Sequence, residues 1–373
     1  MEIKILLVDD EQASVEPVRA EVRERMPQTR SEVVGFEGAE EMIESYSPDI
    51  IVLDIKRDVA GSEGTPGLQT RDYIWERRFC PLVFYTAFPD LLEDDQRLKH
   101  PFVKMVRKGT GSEQAVIDCI LAFESHVSAL SQAGREIHWA LNRALREVAT
   151  RIFENTKDVA QISETLTRSA RRRVAAAMDE ELSTGGPNLR SWELYLCPPT
   201  SSHPLTGDVI RRRAGKSSEP SNYCVVLTPS CDLVSGQKRQ PNVGKVLVGM
   251  CTNVERLLRD LNLNLSTDRQ KCKDRLLSML SQGHGRSCLP LPALPDEFPT
   301  MAVDFQRLSL INLDDIGEGE KDYVRVASVD NPFRELVAWA YMLNAARPGL
   351  PERDFASWAD EIVAALPEPE KKA

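Results

Sequence analysis

No stretch of this 373-residue sequence approaches the length of a membrane-spanning apolar segment. The amino terminus enters an apolar, strand-like run directly, so no signal peptide is expected. The eight cysteines are scattered without a CxxC pair. That argues against a zinc ribbon and against a disulfide framework, and it points to reduced thiols and a cytoplasmic protein. Positive charge is in deficit: 47 Lys and Arg stand against 57 Asp and Glu, a net charge of −10. General nucleic-acid affinity is not expected of such a chain, although a local basic face could survive the balance. Internal repeats are absent, and so is proline from Ser112 to Leu182. What remains is ordinary for a globular protein, with 28% charged and 42% hydrophobic residues over a length that holds two or three domains.

Chemistry-bearing residues stand at the ends of four short apolar runs. Asp9 and Asp10 follow Ile3-Lys4-Ile5-Leu6-Leu7-Val8, and Asp54 follows Ile50-Ile51-Val52-Leu53. Thr86 follows Pro81-Leu82-Val83-Phe84-Tyr85, and Lys108 follows a weaker run, Phe102 to Arg107. Short apolar runs separated by helical stretches read as parallel strands buried on both faces. Open α/β sheets gather their chemistry at the carboxyl ends of such strands. Three carboxylates, a hydroxyl and an ammonium are therefore expected on one edge. Clustered carboxylates repel unless a cation sits among them, and oxygen-only ligands suit Mg²⁺. The cation and the ammonium would neutralise a phosphoryl group in transfer, the hydroxyl could bind one of its oxygens, and an aspartate can itself be the nucleophile.

The residues Val8-Asp9-Asp10, Leu53-Asp54, Thr86-Ala87 and Lys108 resemble the receiver domain of two-component response regulators, over residues 1–125. Asp54 follows Asp10 by forty-four positions and Lys108 follows Thr86 by twenty-two, ordinary intervals for receivers. The interval from Asp54 to Thr86 is slightly long, and the excess falls in the Gly-rich stretch 60–67. The resemblance implies an α/β, flavodoxin-like, doubly wound sheet of five parallel strands. It implies Asp54 as phosphoacceptor, and Asp9, Asp10, Asp54 and the Lys56 backbone carbonyl as Mg²⁺ ligands. Thr86 would bind the phosphoryl group, Lys108 would pair with it, and the partner would be a sensor histidine kinase. Two positions depart from the family: Met105 stands where receivers carry an aromatic switch residue, and Gly109 where they carry proline. That puts aromatic-coupled switching in doubt, although methionine is flexible enough to repack. Lys56 and Phe88, each two residues beyond a site residue, either overhang the phosphoryl group and slow its hydrolysis or point outward.

Across the proline-free middle, Val116, Ile120, Phe123, Val127, Leu130, Gly134, Ile137, Leu141, Ala144 and Val148 recur at alternating steps of four and three. This heptad seam begins inside the expected last receiver helix and runs past it. A turn is expected over 153–158, then a second helix through Val159, Ile162, Leu166, Ala170, Val174, Ala177 and Met178. The 112–182 connector is thus either a parallel coiled coil that makes a homodimer or a helical hairpin within one chain. His138, beside the seam, is a surface or packed histidine or, less simply, a phosphotransfer residue. Arg171, Arg172 and Arg173 form a charge run of the kind that is usually a solvated face.

Ser183-Thr184-Gly185-Gly186-Pro187-Asn188 breaks the helix and opens a second, α+β domain over 190–366, followed by an expected disordered tail, 367–373. Strands are expected at 192–196, 208–213, 223–228 and 245–251, forming a small bent sheet or barrel, with helices at 252–260, 266–281 and 332–346. Asp330 and Asn331 could cap the last of these. Gly207-Asp208-Val209, Leu227-Thr228-Pro229-Ser230-Cys231-Asp232-Leu233 and Ser328 to Glu335 resemble a recurrent, poorly characterised module of bacterial cytoplasmic proteins. The genes of that module often sit in neighbourhoods that look like phage-defence or other conflict systems. That resemblance implies no activity, and the module shows no winged-helix or helix-turn-helix pattern.

The expected function is a non-DNA-binding response regulator whose C-terminal module engages a protein partner, with antiviral defence as one setting. The alternatives are a receiver acting as a phosphate sink for a sister regulator and a receiver-gated enzyme using Cys231 with His203 or His284 as base. A zinc site drawn from Cys224, Cys231, Cys251, Cys272, Cys288, His203 and His284 would need long-range convergence. Nucleic-acid binding would have to use Arg171–Arg173 and Arg211–Arg213.

Overall fold

The computed structural model describes residues 2–55, 66–89, 99–183, 188–236, 239–264, 266–346 and 354–366. Lys56, most of the Gly-rich stretch and the tail 367–373 lie outside the described residues. The chain divides into two compact units, residues 1–185 and 186–373.

In the first unit five strands, β1 (Ile3–Val8), β2 (Thr29–Val34), β3 (Ile50–Leu53), β4 (Leu82–Thr86) and β5 (Val103–Arg107), form a parallel sheet in the order β2-β1-β3-β4-β5. Every residue of β3 and β4 is buried, while the edge strands β2 and β5 are only partly buried. Helices on both faces account for this difference. On one face α1 (Gln12–Arg25) contributes Val15, Val18 and Val22, which pack with Ile5, Leu7, Val52 and Val83. On the other, α2 (Phe36–Tyr46) and α3 (Pro66–Arg77) contribute Ala39, Ile43 and Ile74, which meet Leu6, Val8, Leu53 and Phe84. The fold is the doubly wound, flavodoxin-like one. Its strand order reverses between β1 and β3, which opens a crevice at their carboxyl ends.

The connector begins with α4 (Glu113–Ala122), whose Val116, Ile117 and Ile120 complete the α1 face of the core. The helical path is interrupted at Phe123 and resumes as α5 (Glu124–Asn155). A short turn follows, narrower than expected, and Asp158 accepts the backbone N–H of Gln161 at 2.9 Å to start α6 (Val159–Ser183). The two helices fold back on each other: Ala144 and Ile152 are buried with Ala170, and Arg173 pairs with Glu147. Of the two expected forms, one chain makes a hairpin. The middle of the seam is left open, with Ile137 49% exposed and the neighbouring Trp139 68%.

The second unit is a seven-stranded antiparallel sheet: β6 (Tyr195–Leu196), β7 (Asp208–Arg212), β8 (Tyr223–Val226), β9 (Lys245–Thr252), β10 (Cys288–Leu291), β11 (Met301–Asn312) and β12 (Tyr323–Val329). Its order is β10-β11-β9-β8-β7-β12-β6. The sheet bends until its edges approach. Tyr195 on β6 donates its hydroxyl to Pro292 O, just past β10, at 2.9 Å, and its ring lies 5.2 Å from that of Phe298. This inner face holds the larger core, Val209, Tyr223, Val225, Met301, Val303 and Val329. Gly249 lets β9 and β11 close, since a Cβ there would stand 2.7 Å from Val303 Cγ1. Helices α7 (Ser230–Leu233), α8 (Glu255–Asp260), α9 (Arg269–Gln282), α10 (Phe333–Ala345) and α11 (Phe355–Ala364) complete the unit. The expected cap of α10 is not made, because Asp330 Oδ1 accepts from Asn331 N instead. No helix among the described residues is long and apolar enough to cross a membrane.

Candidate functional site

Ladder bonds run one residue past the strand ends and fix the backbone of the site. Asp9 N donates to Val34 O at 2.9 Å, Asp54 N to Val8 O at 2.9 Å and Lys108 N to Thr86 O at 2.8 Å. Asp9, Asp54, Thr86 and Lys108 therefore stand side by side at the crevice. The Lys108 ammonium joins them: its Nζ lies 2.6 Å from Asp9 Oδ2 and 3.2 Å from Asp54 Oδ1. Thr86 is buried. Its hydroxyl is turned to Ile55 O at 3.3 Å and accepts the Phe88 N–H at 3.1 Å.

The electrostatics of Asp54 are unusual. Its Oδ1 is buried and accepts no hydrogen bond in good geometry, with the Lys108 ammonium 3.2 Å away. Burial raises the Asp54 pKa above the ordinary carboxylate range, Lys108 opposes that rise, and the like charge of Asp9 adds to it. Asp9 is better satisfied, accepting from Glu11 N at 2.8 Å and Ser14 Oγ at 2.6 Å. A buried carboxylate oxygen without a hydrogen bond, next to a second carboxylate, is a donor set that fits a hard divalent cation. Asp10 is exposed, with Oδ1 3.3 Å from Phe36 N at the start of α2. Among the described residues no group of three His, Cys, Asp or Glu side chains is gathered tightly enough to hold a metal.

Two residues at the site escaped sequence reasoning. Ser14 touches both Asp9 and, at 3.3 Å, Lys108 Nζ. Its position in the first turn after β1 was the available signal. Tyr85 lies beneath the ammonium, with Nζ 5.6 Å from its ring centroid, and its hydroxyl meets Ser112 Oγ at 2.8 Å. Met105 and Phe88 are both about two-fifths exposed, at 39%.

The other sequence candidates do not assemble. His138 lines a cavity of about 780 Å³ with Glu2, Asp49 and Arg135, beside the amino ends of β1 and β3 and away from Asp54. The Cys231 thiol is exposed and 3.9 Å from Asp232 Oδ1, which also accepts Asn242 Nδ2 at 3.0 Å. Neither expected base partners it: His284 bonds Gly285 O at 2.7 Å and packs on Trp339, and His203 lies 3.5 Å from Ser202 Oγ. All eight cysteines are free thiols, and Cys224, Cys251 and Cys288 are buried. Arg213 is occupied by Lys321 O and Gly317 O.

No protein-family model matches the sequence, and no curated protein does. Solved structures do resemble it, over its N-terminal third. One is the signal receiver domain of a modulated diguanylate cyclase from Desulfovibrio desulfuricans, at 17% identity, covering 35% of this chain and 98% of that one with a TM-score of 0.28. A second is the N-terminal domain of a response regulator/sensory box/GGDEF 3-domain protein from Carboxydothermus hydrogenoformans, at 22% identity, 35% and 98% coverage and a TM-score of 0.25. A third is the response regulator PhyR from Brucella abortus, at 20% identity, with a TM-score of 0.29; 36% of this chain matches 54% of that one.

Proposed function

We propose that this chain is a response regulator of a two-component phosphorelay, taking a phosphoryl group from a sensor histidine kinase onto Asp54. The observation that carries the reading is one ammonium held between Asp9 and Asp54 at the strand-order switch point, with Thr86 on the next strand. An Asp54 carboxylate oxygen attacks phosphorus, the P–N bond of the kinase's phosphohistidine breaks, and the departing imidazole takes up a proton. The Lys108 ammonium, already beside Asp54, follows the new charge onto a phosphoryl oxygen. The Thr86 hydroxyl exchanges Ile55 O for another such oxygen. Asp9 and Asp54, joined by Asp10, would hold Mg²⁺, which when bound draws charge from the phosphoryl oxygens. Removal of Lys108 from Asp9 and Ser14 is the local change that the connector relays. The open seam around Ile137 suits a homodimer, and the C-terminal unit engages a protein partner, with phage defence as the proposed setting.

The test is light scattering on the full chain with Mg²⁺, with and without a beryllofluoride mimic of the phosphoryl group, on wild type and Asp54→Ala. Acetyl phosphate labelling of both chains serves as the chemical control. Label on wild type alone, with a change of mass or shape on adding the mimic, is the expected result. Label without any such change would favour a phosphate sink, and no label on wild type would end the proposal.

A further inference from the structure

Two of the C-terminal sequence segments, 227–233 and 328–335, meet in one cavity, together with Thr206, the residue just before the third. The cavity has a volume of about 420 Å³ and is lined by Thr206, Leu227, Thr228, Pro229, Ser230 and Leu247 on the sheet side and by Arg334, Glu335, Ala338, Tyr341 and Met342 on α10. That volume is ordinary for a small-molecule site. The walls are mostly apolar, and the polar groups are placed by the fold. Gly207, at φ +86°, admits the Arg334 stem, because a Cβ there would lie 3.3 Å from Arg334 Cγ. Arg334 Nε donates to Val329 O at 3.0 Å, which orients the guanidinium.

Two donors are left over. The terminal nitrogens of Arg334 have no hydrogen-bond or ion-pair partner among the described residues. Thr228, only 7% exposed, accepts from Leu247 N at 2.7 Å, while its own O–H has no acceptor among the described residues. Ser230 and Thr206 are already bonded to each other and to backbone. The charge balance limits the ligand further. Arg325 and Arg334 both act on one buried carboxylate, Asp208, which also accepts from Ser328 Oγ at 2.6 Å and Leu205 N at 3.0 Å. One positive charge is left for a ligand, and the Glu335 carboxylate on the rim repels a second negative one.

We infer that this cavity binds a small monocarboxylate with an apolar, aromatic or branched aliphatic body. The carboxylate meets the Arg334 guanidinium and the Thr228 hydroxyl, and the body fills the space between Leu247, Ala338 and Met342. The inference does not depend on the chemistry of Asp54. It is tested by calorimetric titration of the full chain with phenylacetate and isocaproate. The comparisons are phenylacetamide and phenyl phosphate, and the variants are Arg334→Gln and Ala338→Phe, with folding checked by circular dichroism. Saturable binding of the carboxylates is expected. The amide, and Arg334→Gln with the acid, should each bind about tenfold or more weakly, the worth of a charge-assisted hydrogen bond. Ala338→Phe should abolish binding by filling the cavity. Equal affinity for acid and amide overturns the inference, as does tighter binding of phenyl phosphate or no carboxylate binding at about 10 mM. If Arg334→Gln does not fold, the acid–amide comparison and Ala338→Phe decide.

Discussion

Replacing Lys108 by Met removes a cation shared by Asp9 and Asp54 while keeping most of the length of the side chain. All three groups are largely sequestered: the side chain of Lys108 is 18% exposed, that of Asp9 2% and that of Asp54 16%. Breaking a buried pair by deleting one partner costs about 3–5 kcal/mol, chiefly because a charge is left uncompensated. Here the loss has a ceiling, since protonating one carboxylate relieves it. At an ordinary aspartate pKa of about 3.9 that protonation costs roughly 4 kcal/mol at pH 7. Burial has already raised Asp54 above that range, so the ceiling is lower. Asp9 also keeps its bonds to Ser14 and Glu11. The expected destabilisation is about 3 kcal/mol at pH 7, or roughly 6–12 °C in the unfolding of a unit of this size. It should shrink to about half by pH 5, where protonating Asp54 costs some 3 kcal/mol less. Urea and calorimetric unfolding of the full chain at the two pH values measure both quantities. A loss below about 1 kcal/mol at pH 7, or a loss independent of pH, would refute the reasoning.

Asp54→Asn should act in the opposite direction. A carboxyl whose pKa is raised on folding costs stability as pH climbs from its ordinary unfolded value through its raised native one, so the Asn variant should be the more stable at pH 7 and lose that slope; equal slopes in a melting series from pH 4 to 7 would contradict it. Millimolar Mg²⁺ should raise the melting temperature of Lys108→Met more than that of wild type, because a cation then replaces the ammonium between the two carboxylates, and an equal rise in both would count against the proposed ligands. Gly249→Ala should cost about 1–3 kcal/mol by driving Val303 aside, and Val303→Ala in the same chain should recover part of it; additive losses would show that the contact is not the cause. Ile152→Ala should cost about 2–4 kcal/mol and lower helicity measured by circular dichroism, an outcome absent if α5 and α6 do not pack as a pair.

The N-terminal unit was legible because its information is local. A four- to six-residue apolar run buried on both faces ends where its side chains turn polar, so Asp9, Asp54, Thr86 and Lys108 announced the sheet edge one strand at a time. The partners of the adjacent Asp10 are not local in the same way: its Oδ1 lies 3.3 Å from Phe36 N at the start of α2. In the C-terminal unit β7, β8 and β9 are legible as short apolar runs bounded by loops. β12 was not placed, since it inserts between β7 and the two-residue β6 although it is last in sequence among the strands. β11 carries no clear strand signal, because its exposed half, Gln306–Leu310, breaks the apolar pattern.

The heptad seam of the connector was fixed by side-chain periodicity alone, yet its partner was not. An apolar stripe is satisfied by any complementary stripe, and only the turn at 156–158 and the burial of Ala144 and Ile152 beside Ala170 brought α6 onto it. The same division holds for the chemistry. Residue type and position within a strand determined which groups could act, because period and burial are properties of short segments. Which groups meet was decided by long-range pairing. Lys108 reaches Asp9 across ninety-nine residues, and Thr206, Thr228 and Arg334 come to one cavity only because β7, β8 and β12, the strand that leads into α10, are neighbours in the folded sheet.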